Sequence, residues 1–132
     1  MKILLDTSAY SQLHRGNKAV LDVMRQSETV AVPAIVLGEL YSGFRVGTRW
    51  NENTRLLRVF LSKRSVKVLD VTAETALRYA EVDVFLRKKG RPIPRNDVWI
   101  AALALEHGLQ LVTLHEHFHE IPMLLLQPQQ EL

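Results

Sequence analysis

The sequence contains no cysteine, no long hydrophobic run, and no lysine or arginine beyond residue 97. Without cysteine, a disulfide scaffold, a cysteine-based zinc site and a cysteine nucleophile are excluded. No run of about 18 apolar residues is present, so we expect no membrane span. An acid already stands at position 6, where a signal peptide would still be hydrophobic, and we therefore expect a cytoplasmic protein.

The chain has 132 residues, of which 47% are hydrophobic and 23% charged, as is typical of one soluble globular domain. Its net charge of +3 is unevenly distributed, because the segment 45–95 carries 13 basic residues against 5 acidic ones. A basic segment of this kind favours a polyanionic partner, nucleic acid before membrane. The alternative is a set of solvated helix faces with no partner.

Short apolar segments alternate along the chain with segments of helical periodicity. This alternation predicts an α/β protein, a three-layer sandwich in which helices flank a mostly parallel central sheet. The predicted strands are 2–5, 29–32, 66–69, 109–114 and 123–126, and the predicted helices are 17–26, 34–44, 51–62, 73–89 and 97–107. We expect a single domain over residues 1–126 and a frayed tail over residues 127–132.

Two of the predicted helices carry more detailed expectations. In the helix 73–89, capped by Thr72 and ended by Gly90, apolar residues recur at helical spacing. Those predicted to face the core are Ala76, Leu77, Ala80, Val84 and Phe85. In the last helix, Asn96 is the predicted N-cap, and Gly108 follows the end.

Three acidic residues are predicted to meet at one edge of the sheet. Asp6 follows the first strand, and Glu39 and Asp97 lie in the first turns of helices that begin near the same edge. Ligands of open α/β sheets bind at the carboxyl ends of the strands. Taken singly, each acid has a structural explanation: an N-cap, an exposed helix position, and a favourable charge at a helix start.

Three carboxylates at one edge repel one another unless a divalent cation neutralises them. Mg²⁺ and Mn²⁺ favour oxygen ligands and keep several waters. Such a cation activates water and stabilises the leaving oxygen of a phosphodiester. The three acids together therefore indicate metal-dependent phosphodiester hydrolysis.

Four segments lie in order over nearly the whole chain: residues 4–8 (LLDTS), 39–43 (ELYSG), 90–102 (GRPIPRNDVWIAA) and 111–118 (LVTLHEHF). Together they resemble PIN-domain ribonucleases of the VapC toxin type. The corresponding family patterns are D-T-S, E-L-x-x-G, G-x-P-I followed by N-D-x-W-I-A-A, and L-V-T-x-x-x-x-F.

The resemblance implies a Mg²⁺- or Mn²⁺-dependent endoribonuclease with Asp6, Glu39 and Asp97 as catalytic metal ligands. It implies that Ser8 and Thr113 support those ligands by hydrogen bonds. It also implies an RNA substrate such as tRNA, a VapB-like antitoxin that blocks the site, and a homodimer. The metal-activated water would attack phosphorus without a covalent enzyme intermediate.

The sequence departs from the family pattern at a fourth position. Family members commonly carry an acid two residues after the threonine, where this chain has His115. Four interpretations of this departure remain open. In the first, Glu116 replaces the acid by a one-residue shift of the chain, and in the second, three carboxylates suffice to hold one metal. In the third, His115 and His117 ligate a softer ion such as Mn²⁺ or Zn²⁺, and in the fourth, the histidines form a solvated loop.

This departure keeps a second function open: a weak or inactive PIN domain that binds RNA or a partner without cutting. A third candidate is a phosphatase of the haloacid-dehalogenase kind, suggested by an Asp after the first strand. That chemistry needs a second Asp two positions later, where this chain has Ser8. The ribonuclease therefore remains the preferred function.

Overall fold

Five parallel strands form the central sheet within residues 1–129, the part of the chain that this computed structural model describes. They are β1 (Lys2–Leu5), β2 (Thr29–Pro33), β3 (Val66–Leu69), β4 (Gln110–Val112) and β5 (Leu126–Gln127). Their order is β3-β2-β1-β4-β5, and each neighbouring pair is parallel. The predicted α/β fold with a parallel sheet is confirmed.

Six α-helices within the same residues connect and flank these strands. They are α1 (Thr7–His14), α2 (Lys18–Arg25), α3 (Ala34–Val46), α4 (Trp50–Leu61), α5 (Ala73–Lys89) and α6 (Arg95–His107). Parallel crossovers are right-handed. Helices α1–α4, which lead from β1 to β3, therefore cover one face, while α5 and α6, which lead back past β1 to β4, cover the other.

Several predicted helix ends are confirmed by their caps. The side chain of Asn17 accepts a hydrogen bond from the Val20 N–H at the start of α2, and Thr72 forms a capping box with Thr75 at the start of α5. Gly90 and Gly108 end α5 and α6 with φ of 72° and 64°. Glycine adopts this left-handed backbone without a Cβ penalty.

The predicted N-cap of the last helix was wrong. Helix α6 begins at Arg95, and Pro94 stands at the N-cap with its carbonyl accepting from the N–H groups of Asp97 and Val98. Proline has a fixed φ that suits the start of a helix and lacks only a donor that would be unpaired there. Asn96 is thereby shifted into the first turn, where its side chain is exposed.

The predicted inward face of α5 was also wrong. Thr75, Val82 and Leu86 are the buried residues of this helix. Of the five residues predicted to face the core, only Phe85 is half-buried, and the other four are exposed. We call these four exposed residues the α5 stripe: Ala76, Leu77, Ala80 and Val84. The hydrophobic spacing was helical as expected, but the core uses a neighbouring face.

The last strand lies further along the sequence than predicted. The edge strand expected over 123–126 is β5, Leu126–Gln127, where Gln127 pairs with Val112. The tail expected from residue 127 thus begins with a paired residue, and residues 130–132 of that tail lie outside the described residues. Before β5, a 3₁₀ helix spans Glu116–Glu120.

The core lies between the sheet and its helices. Ile3, Leu4 and Leu5 of β1 are fully buried, and α6 is buried from Ile100 to Ala104. A sheet covered on both faces has strands that are continuously apolar. No helix within residues 1–129 is long and apolar enough to cross a bilayer.

Candidate active site

The sheet order creates a crevice between β1 and β4. From β1 the chain proceeds through β2 to β3 on one side, and β4 and β5 lie on the other side. At such a switch point the connections leave in opposite directions, and open α/β sheets bind ligands there. Asp6 follows β1 and Thr113 follows β4, so the topology brings these two residues together.

Asp6 is held from three sides. It is only 1% exposed. Its Oδ1 accepts hydrogen bonds from the Ala9 N–H at 2.8 Å and the Ser8 hydroxyl at 2.7 Å. The Thr113 hydroxyl donates to Oδ2. Asp6 is thus the N-cap of α1, and the two hydroxyls predicted to support it contact it directly.

Glu39 has a supporting hydroxyl that sequence reasoning did not identify. The Thr7 hydroxyl donates to Glu39 Oε1 at 2.7 Å. Glu39 lies in the middle of α3 and not in its first turn as predicted, because α3 already begins at Ala34, so this hydrogen bond joins the first turn of α1 to the middle of α3. Thr7 lies beside Asp6 in the sequence, and this adjacency was the available signal. Because α1 begins directly after β1, one short segment orients both carboxylates.

A single cavity of about 450 Å³ contains the three predicted carboxylates, Asp6, Glu39 and Asp97. The remaining lining residues are Thr7, Pro94, Arg95, Asn96, His115 and His117. Its volume falls within the ~300–1,000 Å³ range of small-molecule sites. Residues separated by more than 30 positions in the sequence therefore form one polar cavity.

The fourth position is occupied by histidines. His115 and His117 both line the carboxylate cavity, whereas Glu116 is exposed and lines a different cavity beside Thr113 and His119. Glu116 does not line the cavity that holds the three acids. The segment forms a 3₁₀ helix rather than the loop expected, with Phe118 at its centre fully buried, although His115 and His119 are exposed as a solvated segment would have them.

Of the two histidines that line the cavity, His117 makes the close contact with an acid. Its Nε2 lies 2.7 Å from Asp97 Oδ2, within ion-pair distance. The buried Nε2 nevertheless has no hydrogen-bond partner of acceptable geometry among the described residues. The ring of His117 also stacks on that of His115, with centroids 5.1 Å apart.

Burial raises the pKa of the Asp97 carboxyl above its usual value. The adjacent His117 and the nearby His115 lower that pKa, while the negative charge of Glu39 raises it further, and the net shift is upward. Because its pKa is raised, Asp97 binds its proton more tightly in the folded chain than in the unfolded chain, and protonation therefore adds to the free energy of unfolding. This contribution is complete below the unfolded pKa and is lost as the pH rises through the folded pKa. Ionised Asp97 therefore opposes folding of the metal-free chain at neutral pH.

We expect Asp97→Asn to raise the melting temperature of the metal-free chain at pH 7, because it removes a charge that is costly to bury. The gain should shrink as the pH falls to about 4, where Asp is ordinarily half-protonated. Thermal unfolding in EDTA across this range measures it, with the exposed Glu116→Gln as a control. A lower melting temperature for Asp97→Asn would show that its contact with His117 outweighs the burial cost.

The donor set of the cavity fits a divalent cation. Carboxylate oxygens suit Mg²⁺ and Mn²⁺, and Mg²⁺ is usually held by one or two carboxylates with waters completing its shell. Within residues 1–129, no three His, Asp or Glu side chains are close enough together to hold an ion by themselves. The cavity thus offers separated oxygen donors of the kind that a hydrated ion bridges.

Comparison with known families agrees with this architecture. The family model of the PIN domain matches residues 3–124, and the chain therefore belongs to the PIN-domain family. Among its relatives is Ribonuclease VapC2 of Rickettsia felis, 32% identical over 108 residues, which are 81% of this chain and 79% of the relative. Ribonuclease VapC5 of Mycobacterium tuberculosis is 28% identical over 115 residues, covering 87% and 84%.

Solved structures show the same fold in toxin–antitoxin complexes. VapBC2 from Rickettsia felis, bound to a DNA fragment from its promoter, aligns with a TM-score of 0.83 and 29% identity over 96% of this chain and 98% of that chain. VapBC-1 from nontypeable Haemophilus influenzae aligns with a TM-score of 0.84 and 27% identity over 96% and 97%. The resemblance to the VapC type predicted from the sequence is confirmed.

Proposed function

We propose that this protein is a VapC-type toxin, a Mg²⁺- or Mn²⁺-dependent endoribonuclease that hydrolyses RNA phosphodiester bonds in the cytoplasm. The observation that carries the proposal is the single cavity at the sheet switch point that contains Asp6, Glu39 and Asp97. The kinship with VapC ribonucleases supports the same activity.

Asp6, Glu39 and Asp97 would hold the metal, which when bound activates water and stabilises the leaving oxygen of the phosphodiester. The hydroxyls of Ser8 and Thr113 keep the Asp6 carboxylate aimed at the cavity. Thr7 does the same for Glu39. Orientation of this kind lowers the barrier because the ligands need no rearrangement during the reaction.

Basic residues near the cavity would bind the RNA backbone. Arg95 lies on the cavity wall, where its guanidinium suits a phosphate. Arg95 is exposed and is the last residue of the basic segment 45–95 noted above. Contacts with phosphates position a nucleic acid without reading its sequence. We propose structured RNA such as tRNA as the substrate class.

The direct test is incubation of the purified chain with total RNA and Mg²⁺ or Mn²⁺. We expect cleavage with either metal, and its loss in EDTA and in Glu39→Gln, which keeps the side-chain size but removes the charge. Thr7 can still bond the amide oxygen of that variant, so its fold is retained. Cleavage that persists in EDTA and in Glu39→Gln would refute the proposal.

The same experiment addresses the second candidate, a PIN domain that binds RNA or a partner without cutting it. The observation that favours this candidate is the replacement of the family's fourth acid by histidine in the cavity. Binding of RNA by the folded chain without cleavage, with any of the metals, would support it.

We propose a VapB-like antitoxin as the partner of this chain, because its structural relatives include VapBC complexes. A groove of about 290 Å³ between α1, α3 and α4 offers an apolar floor formed by Leu40, Phe44 and Leu56. Its rim is mostly polar and includes Arg15 and Arg49. An antitoxin segment with apolar and acidic side chains would complement this groove.

We further propose a homodimer in which the α5 stripe is buried. Leu77 is 62% exposed and Val84 is 46% exposed. Leu77→Glu would place a charge in that interface, so we expect it to shift the chain from dimer to monomer in light scattering after size exclusion. Val59→Glu, at an exposed apolar position of α4, is the matched control and should remain dimeric. A Leu77→Glu chain that stays dimeric would place the interface elsewhere.

A further inference from the structure

We infer that His117 supplies a nitrogen ligand to the carboxylate cavity and gives this chain a preference for Mn²⁺ over Mg²⁺. The inference rests on the proposed function in placing a divalent cation among Asp6, Glu39 and Asp97. It adds a fourth ligand that differs in chemistry from the family's acid.

The first observation is the position of one buried nitrogen. His117 lines the carboxylate cavity, and its Nε2 lies 2.7 Å from Asp97 Oδ2. This nitrogen is inaccessible to solvent, and its contact with the Asp97 carboxylate is not aligned as a hydrogen bond. Buried polar atoms are normally satisfied by a well-aligned partner. A cation bound by both Asp97 and His117 would satisfy it.

The second observation is that the surrounding structure fixes this nitrogen. Phe118, the next residue, is fully buried and anchors the 3₁₀ helix in the core. At the end of that helix, Lys89 of α5 pairs with the Glu120 carboxylate at 3.1 Å and donates to its carbonyl at 2.7 Å. Because the segment that directly follows His117 is held in this way, the backbone of His117 remains beside the cavity.

The two other candidates for the fourth position are less suitable. Glu116 is exposed and lines a different cavity. His115 stands at the family's position and lines the same cavity, but it is exposed and stacks on His117, and the 2.7 Å contact with Asp97 is made by His117. Its backbone N–H donates to Thr113 at 3.0 Å, which is a structural role. The backbone path through this segment thus places His117, and not Glu116, beside the acids of the cavity.

The chemistry of imidazole sets the preferred ion. Mg²⁺ favours oxygen ligands, and it gives up its waters reluctantly. Mn²⁺ shares the oxygen ligands of Mg²⁺, but as a first-row transition ion it accepts an imidazole nitrogen more readily than Mg²⁺ does. An imidazole beside the carboxylate donors therefore favours Mn²⁺ over Mg²⁺, whereas a carboxylate at that position would not.

The test is calorimetric titration of the metal-free full-length chain with Mn²⁺ and with Mg²⁺, in the absence of RNA. We expect His117→Ala to weaken Mn²⁺ binding by about 10–100-fold while changing Mg²⁺ binding by less than about threefold. His117→Asp should restore tight binding but shift the preference to Mg²⁺. His119→Ala, at an exposed histidine of the same 3₁₀ helix that does not line the cavity, is the matched control and should leave both affinities unchanged. His115→Ala tests the other histidine of the cavity and should change Mn²⁺ binding less than His117→Ala does. Unfolding curves confirm that each variant is folded.

Three outcomes would overturn the inference. The ratio of the two affinities could be unchanged in His117→Ala, or His115→Ala could produce the loss instead. Tighter binding of both metals by His117→Ala would show that His117 competes with the metal as a cation. None of these outcomes decides whether the chain cleaves RNA, since the titrations contain no RNA, so failure here and failure of the proposed ribonuclease are distinguishable.

Discussion

Asp6→Asn is expected to reduce the rate of RNA cleavage by about 10²–10³-fold while leaving the melting temperature near that of the unchanged protein. The amide oxygen can still accept from the Ala9 N–H, so the cap of α1 is retained. What is lost is the negative charge that would hold the metal. Single-turnover cleavage of a labelled RNA and thermal unfolding measure the two effects separately.

Asp6→Ala is the informative companion of this variant. It removes the cap and leaves the buried Thr113 hydroxyl without its acceptor, so we expect a loss of about 1–3 kcal/mol in the free energy of unfolding. If Asp6→Asn cleaved RNA at the original rate, Asp6 would have a capping role only, and the metal site would have to be sought elsewhere.

Phe118→Ala is expected to lower the free energy of unfolding by about 3–5 kcal/mol, the usual cost of replacing a buried phenylalanine. The ring is fully buried and is among the largest side chains of the core. Because domains of this size are stable by only about 5–15 kcal/mol, urea unfolding should show a large shift of the midpoint. The void left by the missing ring would also release the 3₁₀ helix from the core and displace His117.

Leu114→Ala provides the control for this prediction. Leu114 lies close to the same segment but is 41% exposed, and we expect a change near 0.5 kcal/mol, as is usual for surface positions. If Phe118→Ala lowered the free energy of unfolding by as little as Leu114→Ala does, the 3₁₀ helix would contribute little to the core.

Sequence reasoning predicted the elements of the fold more reliably than their orientation. Alternating apolar and periodic segments identified every strand, and caps such as Asn17 and Gly90 located helix ends, because these signals are local. The α5 stripe shows what helical spacing alone cannot predict. Helical spacing reveals that a helix has an apolar face, but the core or another molecule can cover that face, and only packing against α6 decides between them.

The site was predicted in the same uneven way. Asp6, Glu39 and Asp97 were expected to converge because the topology of a parallel sheet brings strand ends together, and the structure places them on one cavity. The role of Asn96 was misjudged because Pro94 starts α6 two residues earlier. Thr7 and His117 were not resolved, since each contact depends on the register of two helices that meet only in the folded chain.

The hydrogen bond from Thr113 to Asp6 joins residues 107 positions apart. Asp97, His115 and His117 also come from the last third of the chain. During synthesis at about 5–20 residues per second, the cavity is therefore incomplete until β4 has left the ribosome and docked beside β1. Such long-range pairing also slows folding. A growing chain would thus lack the carboxylate cavity until residues up to His117 have been synthesised and have folded against β1.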